Sequence, residues 1–308
     1  MEPAAADQPF TQVARAVHAH AELLRAWPLA DGVSAQVTAL EIQLPGGRRE
    51  RLAVRQYGAA NLAADPHAAS SEAELLGVLG AAGLPVPRPR HADESGRILP
   101  GPYLVVEFAE GAALMEPPAD PMDAARQLAV VLAAIHQVPW PRAGLRFLRD
   151  KAEMFSARLG ESPAALDEAL SEGRIRAALA RAWPPGGRNG PVLLHGDFWP
   201  GNTLWRDGKL AAVIDWEDAG YGDPLADLAN GRLEIAMLLG VAAMREFTRR
   251  YRALMGSLDY TGLPAWDLCA ALRPAGTMES WGLGPAALDR MLRGHREFTG
   301  RALAGLPR

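Results

Sequence analysis

Between residues 33 and 57 apolar and polar positions alternate with a period of two: VSAQVTALEIQL, a PGG turn, then RERLAVRQY. That alternation predicts two strands of an antiparallel hairpin, each with one face toward a core. Upstream, residues 10–27 carry apolar positions at helical spacing and predict a leading helix. Downstream, SSEAELLGVLGAAG predicts another helix, with Ser71 and Glu74 as an S-x-x-E capping box and Gly83 as its stop. LPVPRP is expected to be extended, because each proline disfavours helix before it. RILPGPYLVVEF predicts one or two strands. Residues 1–108 are therefore expected to be mostly strands with a helix packed on them.

After FAEGAAL the period changes. Leu128, Val131, Leu132 and Ile135 form an apolar stripe at 3.6-residue spacing within 121–138. Helices are also predicted at 150–160, 163–182, 231–256 and 285–303, so residues 109–308 read as mainly helical. The exception is 195–229, HGDFWPGNTLWRDGKLAAVIDWEDAGYGDPLADLA, reached through the Pro/Gly-rich loop WPPGGRNGP. VLLHGD reads as a strand running into a turn. TLWR and KLAAVID flank Asp207-Gly208, a strong two-residue hairpin signal. Pairing those arms returns Asp215 close to Asn202, at the end of the hairpin where Asp197 also lies. Two carboxylates and an amide facing one point suit Mg²⁺, a hard cation that shares its oxygen ligands with phosphates and water.

Composition narrows the class. The chain has 308 residues, which suits two modest domains or two lobes, and 49 % hydrophobic with 22 % charged residues is globular. A formal net charge of −4 provides no general basic field, so nucleic acid is not an expected partner. The longest apolar run is about ten residues, near IAMLLGVAAM, against roughly 18 or more for a bilayer span. No membrane is expected as a partner. MEPAAADQPF lacks the basic-then-apolar order of a signal peptide. A single cysteine, Cys269, excludes an internal disulfide and a multi-cysteine metal site. The expected location is cytoplasmic; nothing in the pattern speaks to oligomeric state.

The spacing of the central stretch also has a known counterpart. Protein kinases carry H-R-D-x-x-x-x-N, a hairpin, and D-F-G. His195-Gly196-Asp197 and Asn202 keep the same interval, and Asp215-Trp216-Glu217 stands where D-F-G would. With Ile214 to Trp216 and Gly222 to Leu228, the sequence resembles the aminoglycoside phosphotransferase (APH) family, kinase-like enzymes that phosphorylate small molecules. The resemblance runs over roughly 28–235 and weakens toward the C-terminus. It implies an α+β, bilobal, protein-kinase-like fold: a small antiparallel-sheet-plus-helix N-lobe over 1–108, which binds nucleotide, and a larger, mainly helical C-lobe over 109–308.

It also implies roles. Asp197 would be the general base toward an acceptor hydroxyl, and Asn202 and Asp215 the ligands of Mg²⁺. His195 would brace the catalytic loop. Asp223 would stabilise a turn or cap the following helix, and Asp227 would be structural. A kinase-like site needs a cation on the phosphates, usually a strand lysine paired with a helix glutamate. Of 32 basic residues only Lys151 and Lys209 are lysine, so Arg55 in LAVRQY takes that place. Arginine is permanently charged and forks onto phosphate oxygens. Its carboxylate partner is Glu72 or Glu74. Glu74 has the capping box to serve, and the resemblance favours Glu72. Purine contacts fall to the main chain near Glu107, Phe108 and Ala109. ADGVSAQVT, with one glycine, stands in place of a glycine-rich phosphate loop. The cofactors implied are ATP, with GTP not excluded, and Mg²⁺.

The partner implied is a small-molecule hydroxyl acceptor. Residues 231–308 hold seven acidic and eleven basic side chains, which argues mildly against a polycation. Tyr251, Tyr260, Trp266 and Trp281 are candidate pocket residues, though core packing competes for each. Two rival readings remain. A nucleotide-binding pseudokinase or regulatory module would lose Asp197, Asn202 or Asp215, and all are present. A metal-dependent phosphoesterase needs several His and Asp ligands for two metals, and the seven histidines are scattered.

Overall fold

The computed structural model describes residues 8–29, 35–139, 145–161, 163–185 and 189–306. The chain forms two compact units. The first comprises Met1–Glu110, Ala143–Phe147 and Ala212–Glu217; the second comprises Gly111–Arg142, Leu148–Ala211 and Asp218–Arg308.

The first unit is built on a five-stranded antiparallel sheet in the order β1-β2-β3-β5-β4. Its strands are β1 (Glu22–Pro28), β2 (Ala35–Gln43), β3 (Arg49–Tyr57), β4 (Pro89–Asp93) and β5 (Tyr103–Glu107). The helices are α1 (Gln8–Val17), α2 (Ala59–Ala64) and α3 (Ala68–Ala81). Side chains of a strand alternate between faces. Leu52 and Val54 of β3 join Leu40, Ile42, Tyr103 and Val105 in a core closed by Val13 and Ala14 of α1. Arg55 and Tyr57 point to the opposite face, toward Glu72 of α3.

Two expectations for this unit need correction. The leading helix stops at Val17, and residues 22–28 are an edge strand paired with β2. A register shift between Leu23 and Arg25 puts Leu23 and Ala26, three residues apart, against the core. That spacing imitates a helix in the sequence. Second, Ser71 lies inside α3 and is not its cap: its N–H donates to the His67 carbonyl at 2.9 Å. The helix starts one turn earlier, where the Asp65 carboxylate accepts from His67 N at 2.9 Å in an Asx turn. Of the one or two strands expected in RILPGPYLVVEF, one forms, β5, since its prolines precede the ladder. The loop ADGVSAQVT begins at Ala30–Ser34, outside the described residues.

The second unit is mainly helical: α4 (Pro121–His136), α5 (Lys151–Gly160), α6 (Glu172–Ala182), α7 (Leu225–Leu238), α8 (Val241–Leu254), α9 (Leu263–Ala271) and α10 (Pro285–Gly305). α7 packs against α8, α9 and α10, and α4 against α8. Phe198, Phe247, Tyr251, Leu128 and Phe298 are fully buried. The helix expected over 231–256 is two helices, parted at Gly240 (φ +93°). The one expected over 163–182 is a 3₁₀ turn, Glu168–Leu170, followed by α6. Three short strands frame the catalytic-loop candidate: β7 (Arg149–Asp150), β8 (Val192–Leu194) and β11 (Gly220–Gly222), with β11 central. A second small sheet has the order β10-β9-β6, from β6 (Ala112–Ala113), β9 (Thr203–Arg206) and β10 (Lys209–Val213). Asp207 (φ +51°) and Gly208 (φ +72°) turn the β9–β10 hairpin, both left-handed as a type I′ turn requires.

α7 and α10 approach so closely at Gly294 that a Cβ there would lie 2.4 Å from the Ala236 carbonyl oxygen. Gly300, on the same helix, has open space around it. Gly294→Ala should therefore cost about 1–3 kcal/mol, as overpacking does. Gly300→Ala should be neutral or stabilising by up to about 1 kcal/mol. Urea unfolding of the two variants checks this; equal effects would contradict the close approach.

Candidate active site

In the second unit, β8 delivers the chain to His195-Gly196-Asp197. Gly196 is left-handed (φ +83°), and a Cβ would fall 1.8 Å from the Asp218 carbonyl oxygen, so only glycine passes here. The turn is held from beneath by Asp227 on α7. Its carboxylate accepts from His195 N at 2.6 Å and Gly196 N at 2.9 Å. His136 Nε2 lies 3.4 Å from the same carboxylate, and His136 Nδ1 lies 2.6 Å from the Tyr251 hydroxyl. Burial opposes the charge on Asp227. The hydrogen bond and charge of His136, the charge of His195 and the Gly196 amide overcome it and hold the carboxyl below its ordinary value.

The side chain of Asp197 remains 30 % exposed at the end of this rigid turn. Asn202 Nδ2 donates to the Asp197 carbonyl at 2.9 Å and to Asp197 Oδ2 at 3.0 Å. With its NH₂ so engaged, Asn202 keeps its Oδ1 as an acceptor. Arg273, just past α9, donates through Nη2 to Asp197 Oδ1 at 2.5 Å and through Nη1 to the Gly196 carbonyl at 3.0 Å. Glu234, half-buried on α7, is pushed up to about 8 by burial and the Asp197 charge, with Arg273 opposing. Lys151 sits 3.8 Å from Asp218; burial lowers its ammonium pKa. Asp223 Oδ1 accepts from Leu225 N at 2.9 Å, an Asx turn just before α7, whose N-cap is Pro224; of the two roles expected for it, turn or cap, this is the turn. Leu272, Ala275 and Gly276, around Arg273, line a cavity of about 260 Å³ with Phe155, Arg158 and Leu159.

In the first unit, Arg55 gathers carboxylates. Nη2 donates to Asp215 Oδ1 at 2.9 Å and Glu217 Oε2 at 2.5 Å, while Nε stays 3.6 Å from Glu72 Oε2. Nε is buried and has no hydrogen-bond partner among the described residues. Glu72 is 9 % exposed and accepts from the Tyr57 hydroxyl at 2.8 Å. Glu74 faces solvent. Burial raises the Glu72 carboxyl; Arg55 and Tyr57 pull it back, and Asp215 and Glu217 push it further up. Burial alone would lower the Arg55 guanidinium, but its acidic neighbours raise it. Asp215 is itself left-handed (φ +64°), a conformation Asp tolerates better than most residues. Trp216 behind it is buried, its indole N–H donating to Val213 O at 3.2 Å. Asn61 of α2 donates to Glu217 at 2.8 Å.

Glu107 N donates to Arg88 O at 2.8 Å and Phe108 N to Arg51 O at 3.1 Å, and the Glu107 carboxylate pairs with Arg90. Ala109 follows outside the strand. Among the aromatic pocket candidates, Tyr251 and Trp266 are core residues, Tyr260 lies under Arg252, and Trp281 is 40 % exposed. Asn202 and Asp215 fall in different units. The sequence reading did not find Arg273, Glu217, Glu234, Tyr57 or Asn61. Glu217 had a signal, its i+2 spacing from Asp215; Arg273 had none. Among the described residues no group of three or more His, Cys, Asp or Glu gathers as a metal site, and no helix is long and apolar enough to cross a membrane.

The family model described as phosphotransferase enzyme family (APH) matches residues 25–272. Viomycin phosphotransferase of Streptomyces vinaceus is 29 % identical over 177 residues, 51 % of this chain and 56 % of that protein. Acyl-CoA dehydrogenase family member 10 of Mus musculus is 24 % identical over 233 residues, 67 % of this chain and 22 % of that protein. The chain thus spans between about a fifth and just over half the length of the curated relatives it matches. Among solved structures, macrolide 2'-phosphotransferase type I superposes with a TM-score of 0.66 at 19 % identity, covering 100 % of this chain and 99 % of that one. A thermostable mutant of aminoglycoside phosphotransferase APH(4)-Ia, in ternary complex with AMP-PNP and hygromycin B, gives 0.61 at 18 % identity, covering 92 % and 94 %. At such identities the structures establish the kinase-like fold, and the family model establishes membership. The chain belongs to the phosphotransferase enzyme family.

Proposed function

We propose that the chain is an ATP-dependent kinase that phosphorylates a hydroxyl group of a small molecule. The observation that carries this reading is Asp197: a part-exposed carboxylate on a turn fixed by Asp227 and Asn202. Family membership supports phosphoryl transfer, and the AMP-PNP and hygromycin B complex of a structural relative supports a nucleotide donor with a small acceptor.

In the proposed reaction the acceptor oxygen bonds to the γ-phosphorus as the bond to the β-phosphate oxygen breaks. ADP leaves and the hydroxyl proton passes to Asp197. Positioning and charge neutralisation dominate such a step. The Arg55 fork suits phosphate oxygens. Glu72 and Tyr57 hold that guanidinium in orientation. Because the N–H groups of Glu107 and Phe108 are already bonded, purine contact falls to the main chain from Phe108 to Ala109. Asn202 Oδ1 in the second unit and the Asp215 carboxylate in the first are each an oxygen donor of the kind Mg²⁺ takes; each would serve as a ligand, and the ion when bound would neutralise phosphate charge.

A second reading, a nucleotide-binding module without transfer, is favoured by one observation: Arg55 is already engaged by Asp215 and Glu217. Turnover separates the two. ADP release from Mg-ATP should depend on a hydroxyl compound from a panel of aminoglycosides, macrolides, choline, homoserine, thiamine and sugars. Asp197→Ala should lower that rate by about 10²–10⁴-fold and leave ADP affinity unchanged. A flat panel with nucleotide bound would favour the second reading.

Arg55 gives an independent prediction. Hydrogen bonds to charged groups contribute about 1.5–3 kcal/mol. Arg55→Met should therefore weaken ADP binding by roughly ten- to hundredfold and lower the Tm, since Glu72 loses its cation. Arg55→Lys should recover more of the affinity than of the Tm, because a single ammonium cannot sit between Asp215 and Glu217, as Nη2 does, and also beside Glu72, as Nε does. Calorimetric titration with thermal unfolding checks both; unchanged affinity in Arg55→Met would remove Arg55 from the nucleotide site.

A further inference from the structure

The second unit places a cation directly on its proposed base. Arg273 grips the catalytic turn at two points, the Asp197 carboxylate and the Gly196 carbonyl. A guanidinium has further N–H donors beyond these two. The Arg273 side chain is 35 % exposed, slightly more than Asp197 at 30 %, so those donors keep access to solvent beside the base.

Among the described residues, the carboxylates beside this pair are already matched by cations. Lys151 opens α5 and lays its stem along the turn: a Cβ on Gly196 or Gly220 would lie 2.8 Å from Lys151 Cε. Its ammonium faces Asp218, and its field reaches Asp197 and Arg273. The carboxyl of Glu234 feels the charges of Asp197 and Arg273, and with burial it is pushed up to about 8. In this group Asp197 is matched by Arg273 and Asp218 by Lys151. A cationic acceptor would meet the Arg273 guanidinium and the Lys151 side chain and find Asp197 and Asp218 already paired. An anionic acceptor would meet a planar fork that matches carboxylate or phosphate oxygens in pairs.

We propose that Arg273 recognises the acceptor by binding an anionic group on it, so that the acceptor is a hydroxy acid or a phosphorylated alcohol. This rests on the kinase reading above and names the substrate class for the same site.

The test uses four probes on one three-carbon skeleton: glycerol, glycerate, glycerol 3-phosphate and 2-amino-1,3-propanediol. Each is titrated calorimetrically into the full chain with Mg-ADP present, for the original sequence, Arg273→Gln and Arg273→Lys. We expect one of the two anions to bind at least about tenfold tighter than glycerol, and the amine to bind weakest; tenfold corresponds to about 1.4 kcal/mol. Which anion wins distinguishes carboxylate from phosphate. Arg273→Gln should erase the preference while glycerol and Mg-ADP bind as before, and Arg273→Lys should retain part of it. A merely structural Arg273 would lower all affinities together, and that result overturns the proposal. So does an anion preference that survives in Arg273→Gln, or anions that bind no tighter than glycerol. The kinase reading fails separately: absence of Mg-ADP binding to the original sequence overturns both, whereas Mg-ADP binding without an Arg273-dependent preference overturns this proposal alone.

Discussion

The second unit depends on one buried carboxylate. Asp227 is 2 % exposed and keeps its charge, which in an apolar interior requires compensating donors. Two of them are the main-chain amides of His195 and Gly196, and His136 stands alongside. The energetic demand of Asp227 and the geometric demand of the turn are the same demand. The chain must present consecutive amides inward, and only a left-handed Gly196 lets it do so. Asp197 is then directed outward as a consequence of backbone geometry. The fully buried aromatic packing of Phe198 and Phe247 makes that arrangement stiff.

The first unit solves a different problem. Glu72, Asp215 and Glu217 stand around a single guanidinium. Carboxylates in excess of cations raise one another's proton affinity unless a cation is supplied. Such an arrangement is suited to accept positive charge from outside, as a divalent ion accompanying a nucleotide would bring it. Here the local structure follows from strand alternation: Arg55 and Tyr57 share a face of β3 because they are two residues apart, and α3 brings Glu72 to that face.

Much of this was legible in the sequence, for reasons of range. Asp197, Asn202 and Asp215 stand out because their spacing and the Asp207-Gly208 turn are local, and local chemistry leaves a pattern. Glu72 is preferred to Glu74 in the sequence by resemblance and because a capping box claims Glu74; the structure separates them by which side of α3 each occupies. The capping box at Ser71 and Glu74 matched a motif but lost to an Asx turn at Asp65, a few residues earlier. Residues 22–28 misled because a bulge converts strand alternation into a three-residue repeat. Arg273 could not be read at all: it is 76 residues from Asp197, in a stretch, LRPAG, with no periodicity of its own. Contacts made by tertiary packing leave no spacing to recognise.

The arginine on β3 has a practical corollary. Acyl-phosphate derivatives of nucleotides report on kinases by acylating the lysine amine beside the phosphates. In this chain that position carries a guanidinium, which stays protonated and does not acylate. The only side-chain amines are Lys151 and Lys209, neither of them on β3. On the proposed reading, a nucleotide-borne acylating reagent finds no amine on β3, and the amine beside the catalytic turn is Lys151.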